Sequence, residues 1–460
     1  MNVYNARRQS VALGAELGRG GEAVVYKLAV QPALLAKIYY GAPREGYEDK
    51  LAWMQANPPD DPTRAQGHSS IAWPNDLLYT PAGQLAGYVM VNVQNAVPLL
   101  LVFNPRSRAK TLPSFNRRYL HRAARNLAAA LGALHASNYI VGDLNESNVM
   151  VTPSALITLI DADSFQVQRR VGSKPILHPC PVGKPEYTPP ELQGKTFAEV
   201  PRQPEHDRFG LAVLIFQLLM EGNHPFRAQW LGSGDAPPVE DRIRDGAWPY
   251  AYKPILPLAP PRGGPGLNVL HPALAKLVRQ CFIDGHTDPR ARPLPEEWEE
   301  ALNTAEDALV ACDLGHLYSN HLNRCPDCQA LADAQRAARP ASSTFAQPMP
   351  GRTTGNTQPM SKTARPAGPS SASSPARTIS WPGGPRLRSL SWAALAAALR
   401  PPPVVTQATI TCRHCSRVNS ADEIYCQNCA HRLGASRVCP HCGHGIPANA
   451  HFCPRCGRPV

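Results

Sequence analysis

Val141-Gly142-Asp143-Leu144-Asn145-Glu146-Ser147-Asn148 is followed, thirteen residues after its last asparagine, by Asp161 at the end of the apolar run Leu156-Ile157-Thr158-Leu159-Ile160. An aspartate, an asparagine five residues on and a second aspartate closing the next strand combine one proton acceptor with two oxygen ligands for a hard cation. Phosphoryl transfer calls for this set: one carboxylate orients the attacking hydroxyl, and oxygen ligands hold the Mg2+ ions that neutralise a triphosphate. Asp143 is then the base, with Asn148 and Asp161 as Mg2+ ligands. Asp and Asn also form ordinary turns, so the weight falls on what surrounds them.

Upstream, Glu16-Leu17-Gly18-Arg19-Gly20-Gly21-Glu22-Ala23-Val24-Val25-Tyr26-Lys27 sets glycines between two strand-like segments. Glycine lets a hairpin backbone close over phosphates, which makes Gly18, Gly20, Gly21 and Val25 candidate ATP contacts. Lys37, in the apolar strand Ala36-Lys37-Ile38-Tyr39, is the candidate for the α- and β-phosphates. Such a lysine needs a carboxylate partner on the next helix. Glu45 and Glu48 both precede the helix-like Lys50-Leu51-Ala52-Trp53-Met54, and Glu48 is chosen; the plain alternative is an acidic helix start favoured by the dipole.

Downstream, Thr188-Pro189-Pro190-Glu191 stands where a kinase closes its activation segment. Asp207-Arg208-Phe209-Gly210-Leu211-Ala212-Val213-Leu214-Ile215-Phe216-Gln217-Leu218-Leu219 has the apolar density of a buried central helix, and Asp288-Pro289-Arg290-Ala291-Arg292-Pro293 carries an arginine suited to pair with Glu191. Taken in order, these segments resemble the protein kinase superfamily over roughly residues 10–305. Ala36-Lys37-Ile38-Tyr39, Ile71-Ala72-Trp73-Pro74 and Ile160-Asp161-Ala162-Asp163-Ser164-Phe165 resemble in particular bacterial eukaryotic-type Ser/Thr kinases with C-terminal zinc modules. The resemblance implies an α+β, bilobal fold over 1–305, with a small β-rich N-lobe at about 10–93 and a large helical C-lobe at about 94–305. It also implies an adenine-facing hinge through Met90, Val91 and Val93, protein substrates, a structural Glu191–Arg292 ion pair, and Asp207 as a further structural residue.

The departures from that pattern matter. Val141-Gly142-Asp143 lacks the arginine that usually precedes the base, so switching by activation-loop phosphorylation is not expected. Asn145 stands where Ser/Thr kinases place a lysine near the γ-phosphate, which predicts slow turnover. Asp161-Ala162-Asp163 replaces Asp-Phe-Gly, so the usual aromatic is either absent or supplied by Phe165, and Asp163 is a metal ligand or a bystander. His135, just before the loop, reads as a brace. An active, divergent Ser/Thr protein kinase is the first reading. A nucleotide-binding pseudokinase scaffold, acting through zinc modules that bind protein or nucleic acid, is the alternative.

A second signal lies at the C-terminal end. Cys412-x2-Cys415 and Cys426-x2-Cys429 recur as Cys439-x2-Cys442 and Cys453-x2-Cys456, an internal repeat with a period of 27. Each half supplies four thiolates on two tight turns, the requirement of a closed tetrahedral zinc site, so 409–460 reads as a double zinc ribbon. The competing disulfide reading needs an oxidising compartment, and Met1-Asn2-Val3-Tyr4-Asn5-Ala6-Arg7-Arg8 has no signal-peptide apolar run; a cytoplasmic location is expected. A third zinc site over 306–330 combines Cys312, Cys325 and Cys328 with His316, His321 being the rival fourth ligand. Cys180 and Cys281 have no second thiol nearby in sequence and read as small core residues.

Residues 331–408 are rich in Pro, Ser, Ala, Arg and Gly and should form a disordered linker. The apolar Trp392–Leu399 within it is far shorter than the roughly 20 residues of a membrane span, so no membrane anchor is expected. A formal net charge of +12 hints at nucleic acid, but zinc thiolate sites at -2, -2 and -1 bring it to +7, and no aromatic row for stacking bases accompanies the arginines. Family resemblance alone suggests a metal-dependent protein phosphatase and a von Willebrand A-type protein as partners. Metal analysis of protein purified without chelator is expected to find about three zinc ions per chain; a count near zero refutes the ligand assignments.

Overall fold

The computed structural model describes residues 2–338 and four short strands, 409–411, 418–420, 437–438 and 445–446. The expected bilobal, kinase-like α+β fold is present: a curled β-sheet lobe stands on a helical lobe. The N-lobe sheet consists of β1 (Val3–Asn5), β2 (Ser10–Val11), β3 (Leu13–Arg19), β4 (Ala23–Leu28), β5 (Leu34–Tyr39), β6 (Asp76–Tyr79) and β7 (Leu85–Val91), in the order β2-β1-β6-β7-β5-β4-β3. The sheet therefore starts at Val3, ahead of the boundary near residue 10: Val3 is fully buried and its strand pairs with β6. Gly87 in β7 has a structural cause, since a Cβ there would overlap the Lys37 carbonyl and push β5 away.

Between β5 and β6, α1 (Tyr47–Ala56) turns Lys50, Leu51 and Met54 inward, the three-to-four spacing of one helix face. The following Ile71-Ala72-Trp73 stitches the lobes together. Ile71 bridges Leu159, the Ala72 amide donates to the Leu159 carbonyl at 2.8 Å, and the Trp73 indole donates to the Met54 carbonyl while its ring meets Tyr139 edge-on.

The C-lobe opens with β8 (Val97–Pro98), α2 (Leu99–Phe103), α3 (Pro105–Thr111) and α4 (Arg117–Ala136), whose Leu120, Ala124, Leu127, Leu131 and Leu134 form a buried stripe at helical period. The strands β9 (Tyr139–Ile140), β10 (Val149–Val151), β11 (Ile157–Leu159), β12 (Gln166–Val171) and β13 (Lys174–His178) follow, and α5 (Pro204–Leu219) runs through the lobe buried from Phe209 onward. A helix apolar on all sides has to be wrapped, and α4 together with Phe226, Phe282 and Trp248 encloses it.

Glu191 and Arg292 meet in a fork, both N···O distances 2.7 Å, with the arginine side chain wholly buried. Arg292 also donates to the Gly285 and Glu205 carbonyls, so its buried charge is fully occupied. Past this point Leu309–Ala311 pairs with Leu317–Ser319, and a helix spans Pro326–Ala338. The helix corrects the linker start at 331: Ala330-Leu331-Ala332-Asp333-Ala334 are good helix formers and carry it eight residues further. The rest of the linker, with Trp392–Leu399, lies outside the described residues. Among the described residues, no helix is long and apolar enough to cross a membrane. Glu191→Ala, which strands the Arg292 charge, is expected to cost about 3–5 kcal/mol in urea unfolding, and combining it with Arg292→Met should cost less than the sum of the two single changes.

Candidate active site

The loop before β10 is fixed from beneath. Asp207, at the start of α5 and 2 % exposed, accepts the Val141 and Gly142 amides at 2.8 Å each, and His135 Nε2 contacts the same carboxylate at 3.0 Å. The brace role of His135 is thus visible. Gly142 adopts φ +71°, and a Cβ there would come within 2.7 Å of the Cys180 side chain. This is the physical reason that no arginine precedes Asp143: the backbone is left-handed and the buried Cys180 fills the space.

Asp143 is presented just above that anchor. Its Oδ1 accepts from the Asn145 amide nitrogen at 2.7 Å and its Oδ2 from the Asn148 amide nitrogen at 3.1 Å. Burial pushes the Asp143 carboxyl up to about 6; the Asn145 hydrogen bond and Lys184 oppose the rise and Asp161 adds to it. Asn145, 1 % exposed, faces inward and bonds Asp143, so it does not stand in for an outward lysine. The cation beside the loop is Lys184, which bonds Glu146 at 2.9 Å and the Ser147 hydroxyl. No spacing rule in the sequence pointed to it.

The hairpin β10–β11 brings the two residues expected as Mg2+ ligands to one place, since Asn148 immediately precedes it and Asp161 follows it. Asp161 is left-handed at φ +66°, a conformation aspartate tolerates, and its carbonyl accepts the Ser164 amide and hydroxyl. Lys37 reaches across from β5 to Asp161 Oδ1 at 2.5 Å and to Asp163 Oδ1 at 2.6 Å. Burial alone would lower the Lys37 amine, but the two carboxylates outweigh it and raise it. For Asp163, burial pulls upward, while the Lys37 charge and hydrogen bonds from Lys37, Tyr88 and Tyr39 prevail and hold it near 2.

The expected Lys37–Glu48 pair is not formed. Glu48 lies on the exposed side of α1, beside Tyr79, because the inward face of this helix is the one carrying Tyr47 and Lys50. Asp163, a metal ligand or bystander by sequence, is instead a hub buried under Lys37 and three tyrosine hydroxyls. Phe165 is 1 % exposed and packs into the main core.

The sheet register aligns the rest of the cleft. Gly18 pairs with Val25, Val25 with Lys37 and Lys37 with Tyr88, so the glycine hairpin and the lysine share one row across four strands. Gly20 and Gly21 form the tip of that hairpin, where the Gly20 amide donates to the Ala23 carbonyl. Met90 and Val91 end β7; Met90 is buried, and Val91 and Val93 are half-buried where the chain passes to the C-lobe.

Beyond the kinase-like lobes, Cys312, His316, Cys325 and Cys328 bring their ligand atoms within 4.8 Å of one another. His316 Nδ1 lies 3.4 Å from Cys328 Sγ and 3.6 Å from Cys312 Sγ, close to the roughly 3.8 Å edge of a tetrahedron of thiolates about 2.3 Å from zinc. Three sulfurs and one nitrogen are the donor set zinc prefers. The rival His321 turns away, to Ser319 and the Asn268 carbonyl. The eight cysteines from Cys412 to Cys456 lie outside the described residues.

Residues 412–457 match the double zinc ribbon family. The chain is 34 % identical over 334 residues to protein kinase YegI of Escherichia coli O157:H7, and 33 % identical over 336 residues to protein kinase YegI of Escherichia coli strain K12. Each match covers 71 % of this chain and 50 % of the relative, so the chain spans about half the length of the curated relatives it matches. A kinase-like lobe pair related to proteins named protein kinases is therefore joined to a double zinc ribbon. Gly142→Ala is expected to cost about 1–2 kcal/mol from its backbone angle alone, with a further loss from overlap with Cys180. Adding Cys180→Gly should recover only the overlap, as read by denaturant unfolding.

Proposed function

From this kinship we propose that the chain is an ATP-dependent protein kinase acting on serine and threonine hydroxyls. The observation that carries the reading is the convergence of Lys37 with three side chains around one hairpin: Lys37 is bonded to Asp161, Asp143 is bonded to Asn148, and the Ile160 amide, next to Asp161, donates to the Asn148 carbonyl at 2.9 Å. Asp143 orients the acceptor hydroxyl and takes up its proton, a role that suits a carboxyl held near neutrality. Asn148 and Asp161 hold Mg2+, which when bound neutralises charge on the phosphates. Lys37 holds the α- and β-phosphates under the hairpin of Gly18, Gly20 and Gly21, and the adenine lies against Met90, Val91 and Val93.

With Asn145 turned inward, the acceptor side of the site relies on Lys184 for positive charge. A cation shared with Glu146 stabilises the transferring phosphoryl less than a free one, which supports slow turnover. The zinc modules, Cys312/His316/Cys325/Cys328 and the two four-cysteine ribbons, recruit protein substrates or partners, and the closed ligand sets give them structural zinc.

Incubation with radiolabelled ATP and Mg2+ tests the reading. Wild type should label itself or a protein substrate, and Asp143→Asn should lose on the order of 100-fold or more of the rate. If neither protein is labelled although ATP binds, the chain is a nucleotide-binding scaffold whose output passes through the zinc modules.

A further inference from the structure

The Lys37 amine is held by carboxylates from a single segment, and α1 contributes none of them. Asp163 is 2 % exposed, and its carboxylate is ringed by donors. Oδ1 accepts from Lys37 at 2.6 Å and Tyr88 at 2.8 Å; Oδ2 accepts from Tyr39 at 2.9 Å and Tyr47 at 3.1 Å. The same Tyr47 hydroxyl, which has one proton to give, also lies 2.9 Å from the Asp163 carbonyl, and that carbonyl accepts from Lys50 at 2.7 Å. Of the roughly four lone-pair directions of the carboxylate, three are taken outright and the fourth is shared with Tyr47, so a metal ion would have to displace one of these donors. Asp161, the other partner of Lys37, has a side chain 38 % exposed and keeps an open oxygen side.

We propose that Asp163, two residues beyond the metal-binding Asp161, is the positioning residue that holds Lys37 for the nucleotide phosphates, in place of a helix glutamate and without ligating metal. The role rests on the kinase reading of Lys37. In this arrangement α1 reverses its usual sign: it presents the donors Tyr47 and Lys50 where a carboxylate was expected, and Glu48 faces solvent. The three tyrosines fix both oxygens of Asp163, so the ammonium of Lys37 has one place to sit once Asp161 turns toward a metal.

Two measurements on the full chain separate this role from its premise. The first uses no nucleotide: melting temperatures are compared for Lys37→Met, Asp163→Asn, the two combined, and Lys37→Met with Glu48→Gln. The Lys37→Met and Asp163→Asn pair should melt several degrees above the additive expectation, because removing both partners leaves no stranded charge, and the pair with Glu48→Gln should be additive. Additivity for Asp163, or coupling for Glu48, overturns the proposal. The second measures ATP KM and the Mg2+ concentration for half-maximal rate in the labelling assay. Asp163→Asn should raise ATP KM about ten-fold with the Mg2+ requirement unchanged; a matching rise in that requirement makes Asp163 a metal ligand and sinks the idea. Should Asp163→Asn not fold, Asp163→Glu replaces it in both measurements, and it should keep part of the coupling and of the ATP affinity. Failure of wild type to bind ATP would remove the kinase reading, while the melting data would still decide whether Asp163 holds Lys37.

Discussion

The buried carboxylate of Asp207 is the constraint on which the site depends. A carboxylate 2 % exposed must be satisfied by donors, and here the donors are two consecutive backbone amides and a histidine. Because an amide direction is set by its peptide plane, bonding Val141 and Gly142 fixes the start of the loop, and with it the point from which Asp143 projects. The helix that carries Asp207, buried from Phe209 onward, cannot shift without disturbing the aromatic cluster around Phe209, Phe226 and Phe282. The rigidity of the core is thereby handed to the loop.

The departures from the usual kinase pattern form one coherent set. A left-handed Gly142 packed on Cys180 leaves no space for an arginine, and Arg202, 1 % exposed, lies against the same glycine and donates to the Val182 carbonyl. Cys180 and Arg202 therefore tie the segment between them to the loop through buried contacts. In the same way Asn145 turns in to Asp143, and the cation beside the loop, Lys184, comes from the segment between Cys180 and Arg202.

Much of this was legible in the sequence because it is written in local spacing. Asp143, Asn148 and Asp161 lie around one hairpin, and the two-residue alternation of a strand put Lys37 on a definite face. The Glu191–Arg292 fork, 101 residues apart, is anticipated by the kinase resemblance and not by spacing, whereas the choice of His316 over His321 follows from the tight loop that His321 would leave beside Cys325. What failed was long-range. Glu48 was the natural partner by its position before an apolar helix, but which side of α1 faces the sheet is decided by the packing of Tyr47 and Lys50 against a segment more than a hundred residues away. Asp163 and Lys184 carry no periodic signal, since their partners lie in other elements. The helix running past residue 331 was hidden by low-complexity composition, although its alanines favour that state.

The row Gly18–Val25–Lys37–Tyr88 bears on how chain length can vary. Neighbouring side chains in a strand point to opposite faces, so one residue inserted into β4 or β5 would move Lys37 to the outer surface of the sheet and Val25 away from the cleft. The turns between strands carry no such parity. Insertions and deletions should therefore be confined to places such as 29–33 and 80–84, and a length change inside the strands would erase the cleft even if every side chain in it were retained.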